Sequence, residues 1–188
     1  MIIRPEDSIT TAGQLLSMPD DGNRYELNQG VLVMMSPAGS EHGYVAGRIF
    51  ARLFAHVEQA NLGRTYAAET GFRIAATPDT VRAPDAAFVS HARLAKAEPT
   101  DGYLSLAPDL VVEVVSPNDP SIAVESKAKQ WLDAGTMIVL VADPVNQTLR
   151  VYRDKSQIQV LRAGQVFESG DVCCNWRLSV NDVFQIAE

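Results

Sequence analysis

The sequence predicts a single α/β (α+β) domain, residues 1–188, with a mixed central β-sheet flanked by helices. Short strand-like segments recur along the chain between turn residues, and two clear helical patterns interrupt them, one before and one within the strand cluster. The composition, 46% apolar and 21% charged, is typical of a folded globular chain. We find no internal repeat, low-complexity tract or linker that would divide the chain.

The N-terminal half contains a short helical pattern, a hairpin and the first long helix. "YELNQGVLVMMS" is typical of two strands around a turn at Asn28-Gln29-Gly30. "SEHGYVAGRIFARLFAHVEQAN" predicts an amphipathic helix, with Ser40 as N-cap and an end at Asn61 or Gly63. Its apolar residues recur at spacings of three and four: Val45, Ile49, Phe50, Leu53, Phe54 and Val57.

Further strands surround a second helix. "RTYAAETGFRIAA", "VRAPDAAFVS" and "PDLVVEVVS" predict short strands, and the stretch between the last two is irregular with one helical turn. "NDPSIAVESKAKQWLDAG" predicts a helix with Asp119 as cap, Pro120 first and Gly135 just past the end. The remaining segments, "MIVLVADP", "TLRVYR", "IQVLRAG" and "WRLSVNDVF", predict strands and a short terminal helix.

Charge and apolar runs limit the classes of function. Asp and Glu outnumber Lys and Arg by 23 to 16, and a net charge of −7 argues against broad non-specific attraction to nucleic acid or anionic membrane. No apolar run approaches the roughly 20 residues that span a bilayer, and no secretory signal is visible, so we expect a cytoplasmic protein. Cys173 and Cys174 are expected to be free thiols.

Glu113 in "LVVEVV" is a charged residue whose predicted burial requires an explanation. Alternation along the strand places Glu113 on one face with Val111 and Val115, among apolar neighbours. A buried carboxylate is costly unless it is paired, protonated or bound to a metal. Asp85, at the start of a preceding strand, is the first candidate neighbour, because carboxylates on adjacent strands can share one cation. Asp109 lies roughly 13 Å from Glu113 along an extended strand, too far to share an ion.

A lysine on the following helix is the second candidate neighbour of Glu113. Glu125, Lys129 and Asp133 are four residues apart and form an alternating-charge stripe, which is typical of a solvated face. Lys127 instead lies one turn before Trp131 on the flank predicted to be buried. Periodicity therefore favours Lys127 as the partner of Glu113.

The sequence resembles the Uma2 family (DUF820) of the PD-(D/E)XK restriction-endonuclease-like superfamily. The segments that carry the resemblance, in order, are "RYELNQGVLVMMSPAGSEH", "RAPDAAFV", "PDLVVEVVSPND", "KAKQWLDAG" and "IVLVADP". The resemblance implies a restriction-endonuclease-like core, with the superfamily's Asp at Asp85 and its Glu at Glu113. Val115 stands where the standard pattern has a lysine, and the matching family lysine falls on Lys127.

The same resemblance adds two residues and a reaction. Glu26 in "YEL" matches a family acid, and His42 in "SEH" matches a family histidine that we assign to substrate binding; a local helix cap is its alternative. The implied activity is Mg²⁺- or Mn²⁺-dependent hydrolysis of phosphodiester bonds in nucleic acid, with DNA favoured over RNA. Asp85 and Glu113 would be the metal ligands, and Asp85, Glu113, Lys127 and Glu26 the catalytic group.

Two alternatives stay open at this stage. Asp85, Glu113 and Lys127 could form a buried ion pair that only locks helix to sheet, and the fold could serve a non-catalytic binding or scaffold role. Arg48, Arg52 and Arg82 are candidates for substrate contact only through their proximity in sequence to the site elements. A homodimer is one option for the oligomeric state.

Overall fold

The computed structural model describes residues 10–98, 100–117 and 119–185. The helices in these ranges are α1 Ala12–Leu16, α2 Ser40–Ala60, α3 His91–Leu94, α4 Ser121–Asp133 and α5 Val180–Phe184, with a 3₁₀ helix at Gly170–Cys173. The strands are β1 Arg24–Asn28, β2 Val31–Met35, β3 Gly63–Ala67, β4 Phe72–Ala75, β5 Thr80–Arg82, β6 Ala86–Ser90, β7 Leu110–Val114, β8 Ile138–Asp143, β9 Thr148–Tyr152, β10 Ile158–Leu161, β11 Val166–Glu168 and β12 Arg177–Ser179.

The central sheet has six strands in the order β10-β9-β8-β7-β6-β3. β7 and β8 are parallel, with Glu113 paired to Val141, and the other neighbours are antiparallel. The α4 helix connects the two parallel strands, as such a crossover requires. The predicted mixed central sheet flanked by helices is therefore confirmed.

Two smaller sheets accompany the central one. β2, β1, β5 and β4 form a four-stranded antiparallel sheet, and β11 pairs with β12. The β1–β2 hairpin turns at Gln29 and Gly30, whose φ values of 51° and 78° fit a tight hairpin turn. Because β1 belongs to the four-stranded sheet and β7 to the central one, Glu26 and Glu113 lie on different sheets.

Both faces of β7 are covered, which explains its run of apolar residues. Val112 and Val114 face a core built with Val45, Ile49 and Leu53 of α2. The opposite face belongs to a second cluster, in which Val111, Val139 and Val141 of the sheet surround Ala128 and Trp131 of α4. Glu113 shares this second face, so its carboxylate points towards α4.

Three details of the predicted helices are wrong. The N-cap of α2 is Gly39 rather than Ser40, and α4 begins at Ser121 with Pro120 as its N-cap. The Asp119 carboxylate instead accepts a hydrogen bond from the Ser116 N–H at 2.9 Å, which closes the loop after β7. Phe54 is 46% exposed rather than part of the core. Asn61 ends α2 in the left-handed conformation, φ 48°, as expected.

Two further sequence expectations can be compared with the structure. Cys173 is buried, Cys174 is exposed, and both are free thiols as predicted. No helix within residues 10–98, 100–117 and 119–185 combines the length and apolarity needed to cross a bilayer.

Candidate active site

Glu113 lies at the centre of the candidate site and has two donors from α4. Its side chain is 12% exposed, and Lys127 Nζ donates to Oε2 at 2.9 Å. Trp131 Nε1–H donates to Oε1 at 2.8 Å. The two donors are one helical turn apart on the same face of α4. The buried carboxylate is therefore compensated by one charged and one neutral donor.

Lys127 joins the two acids that lie on different sheets. Its Nζ lies 3.1 Å from Glu26 Oε1 as well as 2.9 Å from Glu113 Oε2, and its side chain is 21% exposed. Lys129, by contrast, pairs with Glu125 at 2.6 Å, and both side chains are 42% exposed. The distinction that periodicity made between these two lysines agrees with the structure.

Glu26 accepts hydrogen bonds on both oxygens. Oε1 accepts from the Ala83 N–H at 3.0 Å and forms an ion pair with Lys127, while Oε2 accepts from Arg82 Nη1 at 2.7 Å. Arg82 is itself buried, and its Nη2 donates to Gln130 Oε1 at 2.7 Å. Arg82 therefore anchors Glu26, and its burial makes it a poor candidate for contact with substrate.

Asp85 lies just before β6 and is fixed to the backbone of β7. Its Oδ2 accepts from the Val114 N–H at 2.7 Å, so the carboxylate sits beside the residue that follows Glu113. Within the described ranges Asp85 forms no ion pair with Lys127 at 4.0 Å or less; the lysine joins Glu113 to Glu26 instead. Lys127 thus contacts Glu113 and Glu26 directly and Asp85 contacts His42, while the convergence of Asp85, Glu113 and Lys127 around one ion stays a prediction.

His42, in the first turn of α2, pairs with Asp85. Its Nε2 lies 3.4 Å from Asp85 Oδ2, and the side chain is 12% exposed. Its Nδ1 is buried and has no hydrogen-bond partner among the described residues. The hydrogen bond to Asp85 raises the pKa of His42 despite partial burial. His42 lies against Asp85, so any contact with substrate stays a prediction.

Burial and charge set the ionisation of the three central groups. Burial, together with the charges of Asp85 and Glu26, raises the pKa of Glu113 to about 7, against the attraction of Lys127. Burial also opposes the charge on Lys127, but Glu113 and Glu26 outweigh it and raise its pKa. The pKa of Glu26 is lowered, because Lys127 and Arg82 together outweigh its burial. Lys127 is therefore an ammonium group at neutral pH.

We expect Glu113 to make stability depend on pH in metal-free protein. Its pKa of about 7 in the folded protein exceeds the ordinary value of 4.5, so this contribution is present below pH 4.5 and is lost as pH rises to 7. In chelator, the unfolding free energy of wild type minus that of Glu113→Gln should fall by up to about 3 kcal/mol between pH 4.5 and 7. The subtraction cancels the pH dependence that other titrating groups, such as His42, contribute equally to both proteins. Urea titrations measure the two unfolding free energies. A difference that does not change with pH would mean that Glu113 stays ionised throughout this range.

Asp85 and Glu113 are the residues that could hold a metal ion. Carboxylate oxygens suit Mg²⁺ or Mn²⁺, and Asp85 Oδ1 accepts no hydrogen bond from the residues described. In the described part of the chain no three His, Cys, Asp or Glu side chains form a group that could hold a metal ion. A magnesium site needs only one or two carboxylates, since water and substrate phosphate complete its shell. The donor set therefore fits such an ion.

The fold and the site together define the class of protein. A mixed sheet flanked by helices carries one carboxylate on β7, another just before the adjacent β6, and a partly buried lysine on the next helix, as the resemblance to restriction-endonuclease-like proteins implies. The model of the Uma2 family, described as "Putative restriction endonuclease", matches residues 12–181. The chain belongs to the Uma2 family.

A solved structure shares the fold. It is described as "a putative nuclease belonging to DUF820 from Anabaena variabilis" and superposes with a TM-score of 0.78 at 20% sequence identity. The match covers 93% of this chain and 97% of that one. No protein among the curated ones matches this chain.

Sequence reasoning missed the roles of Trp131, Arg82 and Gln130. Trp131 lies in the core, as its place on the predicted buried flank of the helix implies, but its indole N–H also donates to Glu113. A signal was available, because Trp131 follows Lys127 by one turn on the same helix face. Arg82 and Gln130 carried no such signal, since their contacts depend on how the four-stranded sheet docks on α4.

Proposed function

We propose that this protein is a Mg²⁺- or Mn²⁺-dependent endonuclease that hydrolyses phosphodiester bonds in nucleic acid, with DNA favoured over RNA. The observation that supports this most is the partly buried ammonium of Lys127 against Glu113, with the Asp85 carboxylate bound to the Val114 N–H. These three groups come from a loop, a strand and a helix. Buried, perturbed charges of this kind are enriched at functional sites.

Asp85 and Glu113 would hold the ion. Asp85 is oriented by the Val114 N–H and by His42, and Glu113 by Trp131 and Lys127, so neither carboxylate is free to rotate. When bound, the ion supplies charge that polarises a phosphoryl oxygen and lowers the pKa of a coordinated water. The apolar residues around Glu113 exclude bulk water, which strengthens each charge interaction in the site.

Lys127 would act on the substrate as a donor and not as a base. An ammonium group has three N–H donors. One of them donates to Glu113 at 2.9 Å, and Nζ also forms an ion pair with Glu26 at 3.1 Å. Lys127 has no further partner among the described residues, so a donor stays available to a phosphate oxygen. Because the pKa of Lys127 is raised, the group stays charged and stabilises the negative charge that develops on the phosphoryl group.

Glu26 would hold Lys127 in place. Both Glu26 oxygens are already engaged, by the Ala83 N–H, by Arg82 and by Lys127, so Glu26 is a poorer candidate for a metal ligand. Its negative charge, on the four-stranded sheet, instead attracts the ammonium group of Lys127, which is on α4. The role in catalysis that the sequence suggested for Glu26 is thus proposed to operate through Lys127.

A comparison of Lys127→Ala with Lys129→Ala tests this function. Purified wild type should cleave nucleic acid with Mg²⁺ or Mn²⁺ and stop in chelator. Lys127→Ala should lower turnover by about 10²- to 10³-fold, because a donor to the developing charge is lost, while calorimetry shows that metal still binds. Lys129→Ala should match wild type, since its ion pair with Glu125 is exposed. Equal loss in both variants would contradict the assigned role of Lys127.

A non-catalytic binding or scaffold protein of the same fold is the second candidate. It is favoured by one observation: Glu113 and Glu26 are already satisfied by Lys127, Arg82 and Trp131 without any ion. In that case the cluster only locks α4 to two sheets. Failure of calorimetry to detect Mg²⁺ or Mn²⁺ binding, together with no cleavage of DNA or RNA, would favour this candidate.

A further inference from the structure

Trp131 is buried in α4 and has a polar atom whose acceptor lies in the proposed active site. The residue is 0% exposed, and its ring packs edge-on against Phe72, with centroids 6.4 Å apart and planes at 76°. Its indole N–H donates to Glu113 Oε1 at 2.8 Å. A buried Trp N–H requires an acceptor, and here that acceptor is a proposed metal ligand.

The two donors from α4 define the plane of the Glu113 carboxylate. Lys127 donates a hydrogen bond to one lone pair of Oε2, and Trp131 donates one to a lone pair of Oε1. A carboxylate offers about four lone-pair positions, so one on each oxygen stays available to an ion. With both oxygens held, rotation of the carboxylate would break one contact. Trp131 contributes the contact that carries no charge and is fully enclosed by the core.

We propose that Trp131 is a positioning residue for the metal ligand Glu113, acting through its indole N–H and not only through its packing. The inference rests on the function proposed above and assigns to this residue the orientation of one ligand. Hydrogen bonds that orient a metal ligand typically contribute 10- to 100-fold in metal affinity or activity. A residue that only fills the core would contribute nothing to either quantity beyond its effect on folding.

The chain offers a matched control, because Trp176 is its only other tryptophan. Trp176 is 3% exposed, packs edge-on against Phe167 at 5.8 Å, and belongs to the core on the α2 side of the sheet. Trp131→Phe and Trp176→Phe remove the same atoms from two buried sites. Trp131→Phe, but not Trp176→Phe, should weaken Mg²⁺ binding about tenfold, as measured by calorimetry, and should lower the rate of cleavage by about 10- to 100-fold.

A measurement with Trp131 intact keeps the test independent of how Trp131→Phe folds. Wild type should give two indole N–H signals by NMR, and Trp176→Phe identifies that of Trp131. On addition of Mg²⁺ the Trp131 signal should shift, with the Kd found by calorimetry, while the Trp176 signal stays. The inference is overturned if bound Mg²⁺ leaves the Trp131 signal unmoved, or if the two Phe variants bind Mg²⁺ equally. If wild type neither binds metal nor cleaves, the proposed function fails and this inference fails with it.

Discussion

Glu113→Gln is expected to abolish cleavage, with a loss of about a thousandfold or more. The substitution keeps the size of the side chain but removes the negative charge that would bind the ion. The ion is expected to supply several kcal/mol of transition-state stabilisation, and each 1.36 kcal/mol corresponds to tenfold in rate. Cleavage of DNA and RNA with Mg²⁺, at enzyme concentrations that give full conversion by wild type, measures the loss.

Glu125→Gln is the matched control for this substitution. Glu125 is an exposed carboxylate on α4 whose partner is Lys129, so its neutralisation should leave both cleavage and metal binding as in wild type. Calorimetry should show that Glu113→Gln also loses most of its Mg²⁺ affinity. Cleavage that persists in Glu113→Gln would point to a contaminant or to a different site, and would remove Glu113 from the mechanism.

Lys127→Met is expected to cost about 3 kcal/mol of stability at pH 8 in chelator, because it leaves a buried carboxylate without its countercharge. The cost should depend on pH. In wild type Glu113 is ionised above about pH 7, whereas without Lys127 it would stay protonated to higher pH. The penalty should therefore grow by about 1.4 kcal/mol per pH unit above pH 7 and be smaller at pH 6.

Lys129→Met provides the comparison, since an exposed i,i+4 pair contributes only about 0.3–0.5 kcal/mol. Urea unfolding of both variants at pH 6, 7, 8 and 9 gives the result. A cost for Lys127→Met that is small at every pH would mean that Glu113 is protonated in wild type throughout this range. The ion pair would then not be the state in which the protein works.

The part of the site that follows one strand and one helix could be predicted from the sequence. Alternation placed Glu113 on the same face of β7 as Val111, and spacing by four separated Lys127 from Lys129; both are local rules. Asp109 was correctly set aside, but for an incomplete reason. It is buried and pairs with Arg93 at 2.9 Å, at the opposite end of β7. Distance along a strand excludes a shared ion, but it does not reveal a second ion pair.

The parts that could not be predicted depend on docking between elements. Nothing local to Arg82 indicates that it is buried, because its three-residue strand has too few positions for a pattern. Its contacts arise when β1 and β5 pair beside α4, because Glu26 and Gln130 then both lie within hydrogen-bond distance of Arg82. The missed link between Asp85 and Val114 has a similar cause, since a side chain there replaces a regular ladder contact.

The division of the site between two sheets has a consequence for synthesis on the ribosome. Asn28 and Gln130, whose side chains form a hydrogen bond between β1 and α4, are 102 residues apart in the chain. At about 5–20 residues per second, the ribosome needs about 5–20 s to make the intervening segment. Glu26 therefore has no ion pair with Lys127 during that interval, and the site cannot assemble in a nascent chain until α4 emerges from the ribosome. A nuclease built in this way would have no active site before α4 has been synthesised.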